Sequence, residues 1–223
     1  MKRIAQGALV LGFFANLPAA FGQTIAPPTF KEGDAWEIQT LDMWSSRMTA
    51  RTSKQVIGVS GDFVRLSYDT REVTKTGDIT RPQESESTMR ADLNVTVMFG
   101  SEKMEKLWYK WPLEVGKKWS SSYKQEYPAS TSGGVPQIMT TVIDAEAKGW
   151  ENVDVPAGKF KAFKIVYKAT WTTTNPTSNG SYLMTKWYAP EVKGEVQVTS
   201  DGFAADGSPQ SKSKQQLVSY SMK

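Results

Sequence analysis

The sequence predicts an all-β fold: an antiparallel sandwich, or a strongly curved sheet or open barrel. Three observations carry this. Apolar and polar residues alternate with a period of two along most of the chain, Gly-, Asn- and Asp-rich turns separate the runs, and no segment has an amphipathic helical period.

Residues 1–22 are set apart and read as a signal peptide. Met1-Lys2-Arg3 is a basic start, Ala8–Phe14 an apolar core too short to span a bilayer, and Ala20-Phe21-Gly22 a small-x-small cleavage site. No transmembrane helix is expected downstream. Lys2 and Arg3 leave with the peptide, so the formal net charge of +4 falls to about +2. No run of five or more lysines or arginines remains, which argues against nucleic-acid or anionic-lipid partners. Residues 23–223 are long enough for one β-rich domain.

The alternating runs follow in order. Trp36–Trp44 and Val64–Tyr68 are read as strands, and Ala91, Leu93, Val95, Val97 and Phe99 mark a long half-buried one. Trp119–Tyr127, Ile138–Ile143, Phe163–Trp171, Tyr182–Tyr188, Glu195–Thr199 and Gln216–Met222 complete about ten. The best helical candidate is a single turn at Ser101–Lys106. Turns are expected at 58–62, 75–78, 130–134, 179–180 and 206–208. The segment Val155-Pro156-Ala157-Gly158-Lys159-Phe160 reads as a tight hairpin. Pro156 sets φ at the first corner and Gly158 supplies a left-handed residue, so both are structural turn residues.

A faint internal echo sets Glu32-Gly33-Asp34-Ala35-Trp36 against Val115-Gly116-Lys117-Lys118-Trp119. Each is followed by a Val-Ile pair, Val56-Ile57 and Val142-Ile143, and later by a strand ending in Tyr68 or Tyr167. It suggests two related halves, about 27–104 and 105–223, meeting along one sheet.

Three segments, Trp111–Trp119, Val155–Ala162 and Trp187–Gly194, together resemble an uncharacterised family of bacterial exported β-proteins, the domain of unknown function 3108-like family, over roughly residues 105–200. The resemblance implies a periplasmic or secreted β-fold of the cell envelope. It supplies no catalytic residues.

Composition narrows the chemistry. The chain has no histidine and no cysteine. That removes thiolate and imidazole nucleophiles, Ser-His-Asp triads, His/Cys zinc sites and a lipid tether on cysteine. No cofactor and no metal ligand set is expected. Asp34, Asp42, Asp92, Asp144, Glu146, Asp154 and Glu191 are scattered, with no pairing suited to glycoside hydrolysis. Ser211–Lys214 is a polar edge rather than a serine–lysine dyad, and Asp201–Asp206 lacks a calcium ladder.

Aromatic residues are concentrated at Trp108, Tyr109 and Trp111, and again at Trp187-Tyr188. Alternation sends one of each group inward and another outward, where it could stack on a sugar or line an apolar groove. These five are the candidate ligand-binding residues. The expectation is an exported, non-enzymatic envelope protein that binds an apolar or saccharide ligand, or an envelope partner, on a sheet face. The alternatives are a carboxylate-dependent hydrolase of envelope polymers and a small outer-membrane barrel.

Overall fold

A computed structural model describes residues 24–74, 76–127, 136–174 and 179–223. The expected signal peptide at 1–22, the turn at 130–134 and Lys75 lie outside these residues. The strands are β1 (Ala35–Asp42), β2 (Arg47–Ser60), β3 (Phe63–Glu72), β4 (Gln83–Arg90), β5 (Val95–Phe99) and β6 (Glu102–Lys106). They continue as β7 (Lys118–Tyr127), β8 (Gln137–Val155), β9 (Gly158–Thr173), β10 (Gly180–Ala189), β11 (Gly194–Ala204) and β12 (Pro209–Ser221). A 3-10 turn, Pro190–Val192, links β10 to β11.

Ten strands form one antiparallel sheet in the order β4-β3-β2-β1-β12-β11-β10-β9-β8-β7, and β5 and β6 pair with each other. The large sheet is strongly curved and open, because β4 and β7 each have one partner in it and do not meet. A membrane-spanning barrel requires a closed ladder, which these strands do not form. Among the described residues no helix is long and apolar enough to cross a membrane.

Two local expectations are corrected. The strand expected over 91–99 starts only at Val95, because Ala91–Asn94 forms a turn with Leu93 at φ 63. The helical turn expected at 101–106 is β6, held extended by its register with β5, from Val95↔Lys106 to Phe99↔Glu102.

Cross-strand partners share a face, so the inward face can be followed across the sheet. It runs from Ile38 to Leu217 on β12, then through Gln215 to Val198 and Lys186. From there it passes to Ile165, Ala147 and, through Ala145, to Trp119. The concavity so formed is filled by the chain itself. Residues 91–117 lay Leu93, Met104, Leu107, Trp108, Tyr109, Trp111 and Leu113 against Ile143, Ile165 and Tyr167.

A second buried cluster joins Phe30, Trp36, Val56, Leu66 and Leu217 to the tip of the β8–β9 hairpin, Val153, Val155 and Phe160. The hairpin reaches this cluster because it outruns β10. Along β9 the buried side switches from Phe163, Ile165 and Tyr167 to Ala162 and Phe160. The Ala157 N–H then donates to the Leu217 carbonyl at 3.1 Å. Gly158 closes the hairpin at φ +127, a conformation side chains rarely adopt. Gly158→Ala is expected to lower stability by about 1–2 kcal/mol in thermal or urea unfolding, with nothing else within 4 Å of the added methyl to offset the strain.

The two entrances to the sheet have the same geometry. In the first, the Gly33 N–H donates to the Val56 carbonyl at 2.9 Å and the Val56 N–H donates to Asp34 at 2.8 Å. In the second, Gly116 donates to Ala147 at 2.8 Å and Ala147 donates to Lys117 at 2.9 Å. Both glycines have positive φ, 90 and 82. A bulge follows each contact, at Val56/Gly58 and at Ala147/Gly149. The row Trp36–Lys54–Tyr68 thus corresponds to Trp119–Ala145–Tyr167. The structural counterpart of Val56 is Ala147, five residues beyond the Val142 of the sequence echo.

Candidate functional site

Four of the five candidate aromatics converge inside the curved sheet. Tyr109 stacks on Trp111 with centroids 5.1 Å apart and planes at 14°. Both meet Tyr188 edge-on, at 5.8 and 5.4 Å. Trp108 meets Tyr167 edge-on at 5.5 Å. Tyr109 and Tyr188 are fully buried, and Trp108 and Trp111 are half-buried. Trp187 is turned to the other face of β10, where its Nε1–H donates to Glu151 at 2.8 Å and Lys164 lies 5.6 Å from its ring.

The cage already has an occupant. Lys186 Nζ sits 4.4 Å from the Trp108 ring, 5.3 Å from Tyr109 and 5.9 Å from Tyr167. It donates to Glu195 Oε1 at 2.8 Å, and the Tyr109 hydroxyl donates to the same oxygen at 2.7 Å. The Lys186 and Glu195 side chains are only 10% and 24% exposed. Burial raises the Glu195 carboxyl, but the charge and hydrogen bond of Lys186, the Tyr109 hydroxyl and the Lys54 charge outweigh it and bring it down to about 2. Lys54 itself lies 4.5 Å from the Trp36 ring. Burial, opposed by Glu195 and reinforced by Lys186, pushes its amine down.

The backbone of the plug is fixed by Asn94, whose side chain accepts from the Tyr109 N–H at 2.8 Å and donates to the Tyr109 carbonyl at 3.0 Å. Sequence reasoning missed Lys186, Glu195, Lys54 and Asn94. A signal for Lys186 was present, since Tyr182, Met184, Lys186 and Tyr188 share one parity. Glu195 was hidden by the register shift between Trp187 and Tyr188.

An open groove of about 770 Å³ lies on the opposite, outward side of β12, β1, β2, β3 and β4. Trp36 and Lys54 are in the row that turns inward, so the flanking rows face the groove. One row is Ser219–Glu37–Ser53–Asp69–Glu84 and the other Ser221–Ala35–Gln55–Ser67–Glu86. Glu37 accepts from Arg51 at 2.6 Å and from Ser219 at 3.2 Å, and the Arg51 hydrogen bond holds its carboxyl below the usual range. Asp69 Oδ1 is buried without a hydrogen-bond partner among the described residues. The groove offers many hydrogen-bonding groups, and its surface is polar and apolar in about equal measure.

Fold and interior together define an open, curved β-sheet protein whose concave face is plugged by its own connector. The chain belongs to the DUF3108-like family, whose model matches residues 86–214 and so includes the three segments singled out in the sequence. Among solved structures it is similar to a candidate lipoprotein from Parabacteroides distasonis, with TM-score 0.53 and 14% identity over 89% of this chain and 100% of that one. That likeness shows a shared fold. It is also similar to a candidate exported protein with a YmcC-like fold from Bacteroides fragilis, with TM-score 0.44, 14% identity and the same coverages. No curated protein matches the chain in sequence.

Proposed function

We propose that the chain is an exported, non-enzymatic envelope protein that binds a saccharide in the outward groove of β12, β1, β2, β3 and β4. The observation that carries this reading is the groove itself. Its serines, glutamine and carboxylates suit a polyhydroxylated ligand, because each sugar hydroxyl lost from water needs a partner. An apolar ligand is less well served, since four of the five candidate aromatics are engaged inside the sheet. The export signal read in residues 1–22, and the naming of the similar Parabacteroides distasonis structure as a lipoprotein, support an extracytoplasmic location. Fractionation of cells expressing the full chain is expected to find it outside the cytoplasm, shortened by residues 1–22. Calorimetry of residues 23–223 against neutral oligosaccharides is expected to find a binder that Ser53→Phe weakens at least tenfold. Silence across the panel, or binding indifferent to that bulk, overturns the reading.

One observation favours the hydrolase alternative. Asp69 and Glu84 are directly opposed on β3 and β4, which puts their Cβ atoms roughly 4.5–5.5 Å apart. This sets two carboxyl groups side by side in the groove, and glycoside hydrolysis works through such a pair. Turnover of a fluorogenic glycoside that vanishes in Asp69→Asn and Glu84→Gln would replace binding with catalysis at the same groove.

A further inference from the structure

The duplicated geometry places a second groove at the corresponding outward position of β7, β8 and β9, with a volume of about 700 Å³. Its rows are Lys118–Glu146–Val166 and Ser120–Asp144–Lys168, and Lys148 stands at the bulge beside them. In the first groove the positions of Lys118 and Lys168 are held by Ala35 and Asp69. The two grooves therefore share a frame and differ in charge.

Three ammonium groups gather here around one carboxylate. Lys148 Nζ lies 2.7 Å from Glu146, and that hydrogen bond, with the charges of Lys118, Lys148 and Lys168, holds the Glu146 carboxyl below its ordinary range. Asp144 is the other acid of the groove. Lys118 and Lys168 have no hydrogen bond or ion pair of their own among the described residues. Two exposed ammonium donors beside Ser120 and the apolar Val166 form a recognisable pattern. It suits a compact anion of two charges attached to a less polar body. A monovalent anion would gain little over water, because all three lysines are well exposed.

We propose that this second groove binds a phosphate group, with Lys118 and Lys168 as its donors and Ser120 as a hydroxyl partner. The proposal does not depend on saccharide binding in the first groove.

The test uses residues 23–223 and two probes, inorganic phosphate followed by chemical-shift titration and vesicles containing phosphatidylglycerol followed by co-sedimentation. Binding of either probe is expected, at constant ionic strength, with sulfate and chloride weaker than phosphate. Lys118→Gln/Lys168→Gln is expected to weaken it at least tenfold, while Lys212→Gln/Lys214→Gln, on a different part of the sheet, leaves it within twofold. Phosphate binding without vesicle binding assigns a free or polymer-borne phosphate, and vesicle binding assigns a lipid headgroup. Failure of both probes, or equal losses in the two double variants, overturns the proposal. Any saccharide binding in the first groove is expected to survive Lys118→Gln/Lys168→Gln.

Discussion

Replacing Lys186 with methionine is expected to cost about 3–5 kcal/mol of folding stability at pH 7. The methionine fills the aromatic cage but leaves Glu195 buried beside Tyr109 without its closest cation, and an uncompensated buried carboxylate is costly. Urea unfolding of the single variant and of Lys186→Met/Glu195→Leu separates the terms. The double variant is expected to recover part of the loss: no buried carboxylate is left uncompensated, but the Tyr109 hydroxyl loses its acceptor and Lys54 its opposing charge. The pH dependence has a definite sign. The Glu195 carboxyl titrates at about 2 in the fold, below the ordinary 4.5. Its contribution is therefore complete above about pH 4.5 and fades as pH falls towards 2. The stability gap between the native chain and Glu195→Gln is expected to narrow over that window. A single-variant cost under about 1 kcal/mol, or a gap that widens on acidification, would show that the pair is not what holds the plug.

Trp36→Ala is the second large effect, expected to cost about 3–5 kcal/mol. Trp36 is buried, donates its Nε1–H to the Val192 carbonyl at 2.7 Å, meets Phe30 edge-on at 6.0 Å and carries Lys54 over its ring. The truncation opens a cavity, orphans a carbonyl in the β10–β11 turn and removes the ring beneath a desolvated amine. Trp44, 59% exposed, is the control, and Trp44→Ala is expected to stay within about 0.5 kcal/mol. Trp119→Ala is expected to match Trp36→Ala, because Trp119 occupies the corresponding position and donates to the Leu107 carbonyl at 3.1 Å. Comparable losses from Trp36 and Trp44 would contradict the burial argument.

The all-β class was legible because most strands have one buried face, and period two survives wherever that is true. It failed where the physics differs. β4, Gln83–Arg90, is an edge strand exposed on both sides for most of its length, so it shows no apolar alternation. β6, Glu-Lys-Met-Glu-Lys, has the composition of a helix and is a strand only because β5 pairs with it. The run at 91–99 alternated, but Asp92 and Asn94 were spent on anchoring: Asp92 accepts from Arg90 at 2.6 Å and Asn94 holds Tyr109. The aromatic groups are concentrated in the sequence and four of the five members come together, but Trp108 and Tyr109 both turn inward, because residues 107–117 are not a strand and do not alternate. Their use was not legible, because Lys186 and Glu195 enter the interior from another pair of strands. The outward grooves were equally hidden, since serines and carboxylates on a sheet look like ordinary surface until the rows are aligned.

The pairing of β1 with β12 has a consequence for the order of assembly. Ala35 lies opposite Ser221 and Asp42 opposite Ser213, so β1 cannot complete its pairing before β12 is present. Until then β4-β3-β2-β1 and β11-β10-β9-β8-β7 are two separate meanders, each with a raw edge where β12 belongs. Contacts so distant along the chain make for slow closure, in milliseconds to seconds for sheets of this kind. The two halves of the large sheet thus join only through β12, and that junction is the contact of greatest sequence separation in the sheet.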